Sequence, residues 1–316
     1  MMSYTELMNY LNLFASKQLL STSTSLMVKR VISSFLLILL TGYLSSCSQV
    51  GSVLLNSTAK TGDYIKTGDV SYGTHQRNKL DVYRPKKTNS NKSPVVVFFY
   101  GGCWGECSSL KKKDYLFVAQ SLSSRGYVTV IPNFREYPEV TFQPIMADAA
   151  SVMRWVSQHI DEYAGDANKV VIAGHSSGAH IGATLALDKR YLDSGLRSRI
   201  RGFIGFAGPY DFLPLDEAYQ RKLFGPPKHY AASQPINFVS SQSPAMLLLH
   251  GKKDTTVKPQ NSHKLAVKAQ SLGVDSKVIE YPKHDHVGIL IALSRPLQRK
   301  SSVLVDVIKF LEQHAK

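Results

Sequence analysis

The sequence predicts an α/β fold, with one mostly parallel central sheet and helices on both faces. Three observations carry this expectation. Strand-like apolar runs alternate with helical stretches from residue 79 to residue 314. Most of these runs are continuously apolar, the mark of strands buried on both faces. The run Val170-Val171-Ile172-Ala173 leads through Gly174-His175-Ser176-Ser177-Gly178 directly into a small-residue helical stretch, Ala179 to Leu187.

The elements follow in order. Lys79-Leu80-Asp81-Val82-Tyr83-Arg84-Pro85 alternates as a strand and stops at proline. Pro94 to Tyr100 is a buried-strand run, and Gly101-Gly102-Cys103-Trp104-Gly105 follows it as a loop. Asp114 to Ser124 has helical spacing and ends before Gly126. Tyr127 to Ile131 is a strand closed by Pro132, and Phe142 to Ile160 is a long amphipathic helix. Gly202 to Ala207, Met246 to His250 and Ser276 to Tyr281 are further strands; Pro259 to Leu272 and Val303 to His314 are helical. Residues 209–244 hold several prolines with weak periodicity, and are expected to form a small cap over the site.

The Gly174–Gly178 turn has the G-x-S-x-G pattern between a strand and a helix, where the serine sits on a strained turn with its hydroxyl exposed at a helix N-terminus. Such a serine needs a base, and the base needs an orienting acid. Asp254, just past the Met246–His250 strand, is the expected acid, with Asp211 as its rival; His286, past the last strand, is the expected base, with His284 as its rival. His250 is expected to be satisfied by backbone, and His175 and His180 to pack beside the nucleophile or face the cleft. The expected oxyanion donors are the backbone N–H groups of Gly101, Gly102 and Ser177. No metal site and no cofactor is expected.

The N-terminal stretch carries targeting signals. Residues 27–46 combine a basic start, an apolar run too short to span a bilayer well, and Leu44-Ser45-Ser46-Cys47, which resembles a bacterial lipobox. The expectation is a lipoprotein signal, lipidation at Cys47, and a bacterial envelope location at the periplasmic face of the outer membrane. Residues 1–26 do not fit a signal peptide and are expected to be a non-native extension, with Met27 as the start; residues 47–68 are expected to be a flexible tether, and the domain to run from 69 to 316. Cys103 and Cys107 remain as thiols that an oxidising compartment would permit to pair, provided that their Cα atoms lie close enough. The formal charge is +15, but the basic residues are scattered, which argues for an ordinary basic soluble surface, with loose attraction to an anionic membrane or polysaccharide as the alternative, and against nucleic-acid binding.

Leu80-Asp81-Val82-Tyr83-Arg84-Pro85, Tyr100-Gly101-Gly102-Cys103-Trp104, Asn133-Phe134-Arg135 with Tyr137-Pro138, the Gly174–Gly178 turn, and the late Asp254 and His286 together resemble the α/β-hydrolase esterases. The resemblance is closest to the BD-FAE group of carbohydrate acetyl and feruloyl esterases and to the related kynurenine formamidases and isoprenylcysteine methylesterases. It implies an α/β-hydrolase fold and a serine esterase acting on a small-molecule ester through an acyl-enzyme. An arylformamidase or amidase with the same triad, and a non-catalytic binding lipoprotein on this scaffold, are the alternatives. Tyr100 stands where the family has a histidine that braces the oxyanion loop.

Overall fold

The computed structural model describes residues 55–87, 92–107 and 110–316. All of them belong to one compact unit, Val53–Lys316. The expected extension, signal segment and lipidated Cys47 lie outside the described residues.

Eight strands form one sheet in the order β1-β2-β4-β3-β5-β6-β7-β8. They are β1 (Tyr64–Ser71), β2 (Lys79–Pro85), β3 (Ser93–Phe99), β4 (Val128–Pro132), β5 (Gly165–His175), β6 (Ile200–Phe206), β7 (Ala245–Gly251) and β8 (Ser276–Tyr281). β2 is antiparallel to both β1 and β4, while β4, β3 and β5 to β8 run parallel. The long helices are α1 (Leu116–Ser123), α2 (Phe142–His159), α3 (Ser177–Leu187), α4 (Gln260–Gln270) and α5 (Val303–His314).

Hydrophobic patterning explains the layering. Every residue of β3 and of β4 is buried, as is all of α3, so these elements lie inside the stack. α2 and α5 bury one face each: Ile145, Ala149, Val152 and Val156 on α2, and Val303, Val307 and Leu311 on α5. Each fully buried side chain of this size contributes about 1.5–3 kcal/mol.

The domain starts earlier than the expected boundary at residue 69. Residues 55–59 are helical, Ala59 is buried in the core, and β1 begins at Tyr64. β1 carries the polar sequence YIKTGDVS with mostly exposed side chains, so backbone pairing with β2 holds it rather than apolar burial. Its register shifts between Thr67 and Val70, where Asp69 takes φ 58°.

The chain leaves β3 toward β4 on one side and β5 toward β6 on the other. The loops after β3 and β5 therefore diverge, and open a crevice at the carboxyl ends of adjacent strands. Residues 209–244 stand between β6 and β7 as one short helix, Ala218–Leu223, and 3-10 turns at Pro227–His229, Ala231–Ser233 and Pro235–Phe238.

Candidate active site

Ser176 follows β5 at φ 54° and ψ −127°, a region that non-glycine residues rarely occupy. Its N–H donates to the Phe206 carbonyl at 2.9 Å, and its own carbonyl accepts from His180 N–H at 3.1 Å as α3 begins. Gly178 permits this turn by close approach: a Cβ there would collide with the carbonyls of Phe99 and Tyr100 on β3 and its loop.

Two more loops bring the partners. Asp254 follows β7 and His286 follows β8, and the loops are stitched by Lys252 N–H to the Tyr281 carbonyl and Lys253 N–H to the His284 carbonyl, both at 3.0 Å. His286 Nε2 lies 2.9 Å from Ser176 Oγ, and His286 Nδ1 lies 2.8 Å from Asp254 Oδ2. The structure thus brings together Ser176, His286 and Asp254. It does not bring in the rivals: His284 Nε2 faces Ser301 Oγ at 2.8 Å, and Asp211 pairs with Lys264 at 2.7 Å.

Asp254 is buried and has four donors. Besides His286, the Thr256 and Val257 N–H groups donate to Oδ1 at 2.9 Å each, and His250 Nε2 stands 3.2 Å from Oδ2. Burial raises the carboxyl pKa, but the hydrogen bonds from His250, His286 and Val257 outweigh it and hold the group well below the usual carboxylate range. Asp254 is therefore an anion at neutral pH and fixes the His286 ring with its Nδ1–H toward the carboxylate. That leaves Nε2 to accept from the serine hydroxyl.

Three histidines exceed their sequence-level roles. His250 was expected to meet backbone alone; its Nε2 faces the Val257 carbonyl at 2.8 Å, but it also approaches Asp254, and its Nδ1 meets Ser262 Oγ at 2.8 Å. His175 Nε2–H donates to the His286 carbonyl at 2.8 Å and so ties the base's loop to the nucleophile turn. His180 Nδ1 accepts from Trp104 Nε1 at 3.2 Å and its Nε2–H donates to the Ser233 carbonyl at 2.7 Å, linking the loop after β3 to the cap. Burial lowers His175 to about 3 and His180 to about 4, so both rings are neutral. Nothing in local sequence signals these links, because each joins residues far apart in the chain.

In the loop after β3, Gly101 packs against Ser176: a Cβ on it would stand 2.9 Å from Ser176 Cβ. Further along this loop Cys103 and Trp104 line the cleft, together with Ser176 and Ser177. Gly102 sits between, at φ 135°. Cys103 and Cys107 form a disulfide with Cα atoms 5.2 Å apart. Tyr100 is fully buried, stacked between Tyr115 and Phe134, and its hydroxyl donates to Asn133 Oδ1 at 3.1 Å while Arg77 approaches it at 3.4 Å. A tyrosine thus fastens this loop to the segment after β4.

The cleft above Ser176 has a volume of about 540 Å³, and the cap supplies Phe212, Leu213, Pro214 and Tyr219 to its wall. A second cavity, of about 430 Å³, is lined by Phe142, Leu223 and Phe224. Phe224 of that cavity packs against two residues of the cleft, with ring centroids 5.2 Å from Trp104 and 5.8 Å from Phe212. Among the described residues no His, Cys, Asp and Glu cluster could hold a metal ion.

A family model described as BD-FAE matches residues 80–269. The chain is 29% identical over 252 residues to a probable isoprenylcysteine alpha-carbonyl methylesterase of Arabidopsis thaliana, covering 72% of this chain and 52% of that protein. It is 29% identical over 221 residues to the probable carboxylic ester hydrolase LipM of Mycobacterium tuberculosis, covering 63% of this chain and 51% of that one. The chain thus spans about half the length of these curated relatives. Among solved structures it resembles a truncated carbohydrate esterase from gut microbiota, with TM-score 0.66 and 19% identity over 81% of this chain and 99% of that one. It also resembles an esterase B from Lactobacillus rhamnosis, with TM-score 0.69 and 18% identity over 87% of this chain and 96% of that one. These likenesses establish the α/β-hydrolase fold.

Proposed function

The chain belongs to the BD-FAE family, and from that premise we propose that it is a serine carboxylic-ester hydrolase acting on small acyl esters. One observation carries the reading: an unbroken hydrogen-bonded line runs from Ser176 Oγ to His286 Nε2 at 2.9 Å and from His286 Nδ1 to Asp254 at 2.8 Å. Ser176 Oγ attacks the ester carbonyl as His286 Nε2 takes its proton. The imidazolium that forms is stabilised by Asp254, already ionised and held by its other donors. His286 returns the proton to the leaving alcohol, and an acyl-enzyme remains on Ser176. Water then attacks this ester with His286 again as base, releasing the acid and regenerating the hydroxyl. The N–H of Ser177, at the start of α3, and the backbone of Gly102 and Cys103 hold the oxyanion. Trp104 and Phe212 are bulky rings in the cleft lining, which supports a preference for short acyl groups.

The test is hydrolysis of p-nitrophenyl acetate, butyrate and octanoate by wild type and by Ser176→Ala. Turnover that depends on Ser176 and falls with chain length supports the reading; near-wild-type turnover by Ser176→Ala refutes it.

We also propose that the protein is held at a bacterial envelope membrane through lipid on Cys47. The lipobox-like Leu44-Ser45-Ser46-Cys47 and the basic and apolar segments before it support this. A Cys47→Ala variant then leaves the membrane fraction on cell lysis, and one that stays with the membrane refutes lipidation there.

A further inference from the structure

Four consecutive residues of the loop after β3 have positive φ: Gly102 at 135°, Cys103 at 53°, Trp104 at 58° and Gly105 at 117°. Glycine adopts such values freely, but Cys103 and Trp104 do so only because their surroundings impose it. The run lies at the reacting centre, since Cys103 and Trp104 line the cleft with Ser176 and Ser177.

Several ties hold the run in place. Gly105 and Cys107 N–H groups donate to the Gly102 carbonyl at 2.9 and 3.3 Å, and Glu106 N–H donates to the Cys103 carbonyl at 3.2 Å. Tyr137 N–H donates to the Trp104 carbonyl at 2.8 Å, and the Trp104 indole is held by His180. These ties engage carbonyls and one indole. The Cys103 side chain itself is fastened by the disulfide to Cys107, at the far end of the run. The disulfide closes a short covalent ring from Cys103 through Trp104, Gly105 and Glu106 to Cys107, and so restrains the backbone on the C-terminal side of the Gly102–Cys103 peptide.

Resting on the esterase reading, we propose that the Cys103–Cys107 disulfide is a positioning element for the oxyanion backbone. It holds the Gly102–Cys103 peptide at the developing negative charge, and its loss slows the chemical step rather than substrate binding. Reduction by a dithiol transfers two electrons and two protons to the protein. One thiolate of the reductant attacks a cystine sulfur, its second thiol displaces the mixed disulfide, and the products are two cysteine thiols and the oxidised, cyclic reductant. Reoxidation restores the bond, so the effect is reversible.

The experiment uses the full chain, as wild type and as Cys107→Ser, with p-nitrophenyl acetate as substrate. kcat and KM are measured before dithiothreitol, after it, and after reoxidation, beside the melting temperature. Complete removal of one oxyanion donor costs about 100–1000-fold in kcat, so misplacing one lowers kcat by about tenfold or more, with KM within about twofold. Reductant is expected to slow the wild type to that degree and reoxidation to restore it, while Cys107→Ser is equally slow untreated and indifferent to reductant. An unchanged kcat in reduced wild type overturns the proposal. So does a fall in melting temperature without a fall in kcat, which makes the bond a stabilising crosslink only. Ser176→Ala, assayed in parallel, separates the two readings. Turnover surviving that substitution refutes the esterase assignment, whereas Ser176-dependent turnover that ignores redox state refutes the positioning role alone.

Discussion

Lowering the pH from 7 to 4.5 acts on two rings that the fold keeps neutral. Burial depresses His175 to about 3, with the His286 ring beside it as a second cause, and burial depresses His180 to about 4. In the unfolded chain both return to about 6.5. Between the folded and unfolded values the unfolded state binds more protons, so stability is full above pH 6.5 and is lost as pH falls toward 4. Each ring contributes a loss of about 2.5 kcal/mol over this interval, or about 5 kcal/mol together, comparable to the whole stability of many domains. Other groups contribute: His284, lowered by burial, pushes the same way within the window, the depressed carboxyls of Asp81, Asp254 and Glu280 push the same way at lower pH, and the raised Glu136 opposes them. His180→Leu isolates one ring. It leaves the Trp104 indole N–H and the Ser233 carbonyl without their partner, a cost at pH 7 of about 1–3 kcal/mol for each buried group. It also removes one titrating site, so the variant's acid-induced loss is smaller than that of wild type by about 2.5 kcal/mol. Urea unfolding followed by tryptophan fluorescence at pH 7.0 and 4.5 measures both quantities. A wild-type stability that is flat across the window refutes the reasoning. So does a His180→Leu variant that loses as much stability to acid as wild type does.

Three further substitutions probe the site. Asp254→Asn keeps the shape but removes the anion that orients His286, and kcat is expected to fall by about 10³–10⁴-fold with the circular dichroism spectrum unchanged; a loss under tenfold would remove Asp254 from the triad. Gly178→Ala drives a methyl into the Phe99 and Tyr100 carbonyls, which backbone cannot easily vacate, so the melting temperature falls by an amount equivalent to about 1–3 kcal/mol or more; an unaltered melting curve contradicts that close approach. Phe224→Ala removes a ring that lines the second cavity and packs against Trp104 of the cleft, and the ratio of octanoate to acetate hydrolysis is expected to rise by about tenfold; a folded variant with the wild-type ratio shows that Phe224 does not set acyl length.

Much of the scaffold was legible because its signals are local. The apolar runs of β3, β4, β6 and β7 and the spacing of α2 and α5 lie within short windows, and the structure places elements there. β1 was not legible: YIKTGDVS is polar and exposed, and only pairing with β2 makes it a strand. The geometry around Ser176 divides in the same way. The strand–turn–helix pattern announces the serine, and position after β7 and β8 singles out Asp254 and His286. The supports do not announce themselves. His175 reaches a carbonyl 111 residues away, and His180 bridges Trp104 and Ser233. Such contacts depend on which loops the sheet order brings together, and no spacing within one loop encodes them.

The irregular register of β1 bears on how the protein behaves in a crowd. β1 has one neighbour, β2, so its far side is an open edge on which another chain could add a strand. At Asp69 the backbone turns to φ 58°, and the N–H there is taken by the Asp81 side chain of β2 at 2.9 Å. Lys66 on the same strand carries an ammonium out to meet Asp81, and Asp69 answers to Lys112. An incoming strand would find its ladder broken midway and would have to strip water from charged groups on either side of the break. A bulge and flanking charges of this kind blunt an edge strand against strand addition.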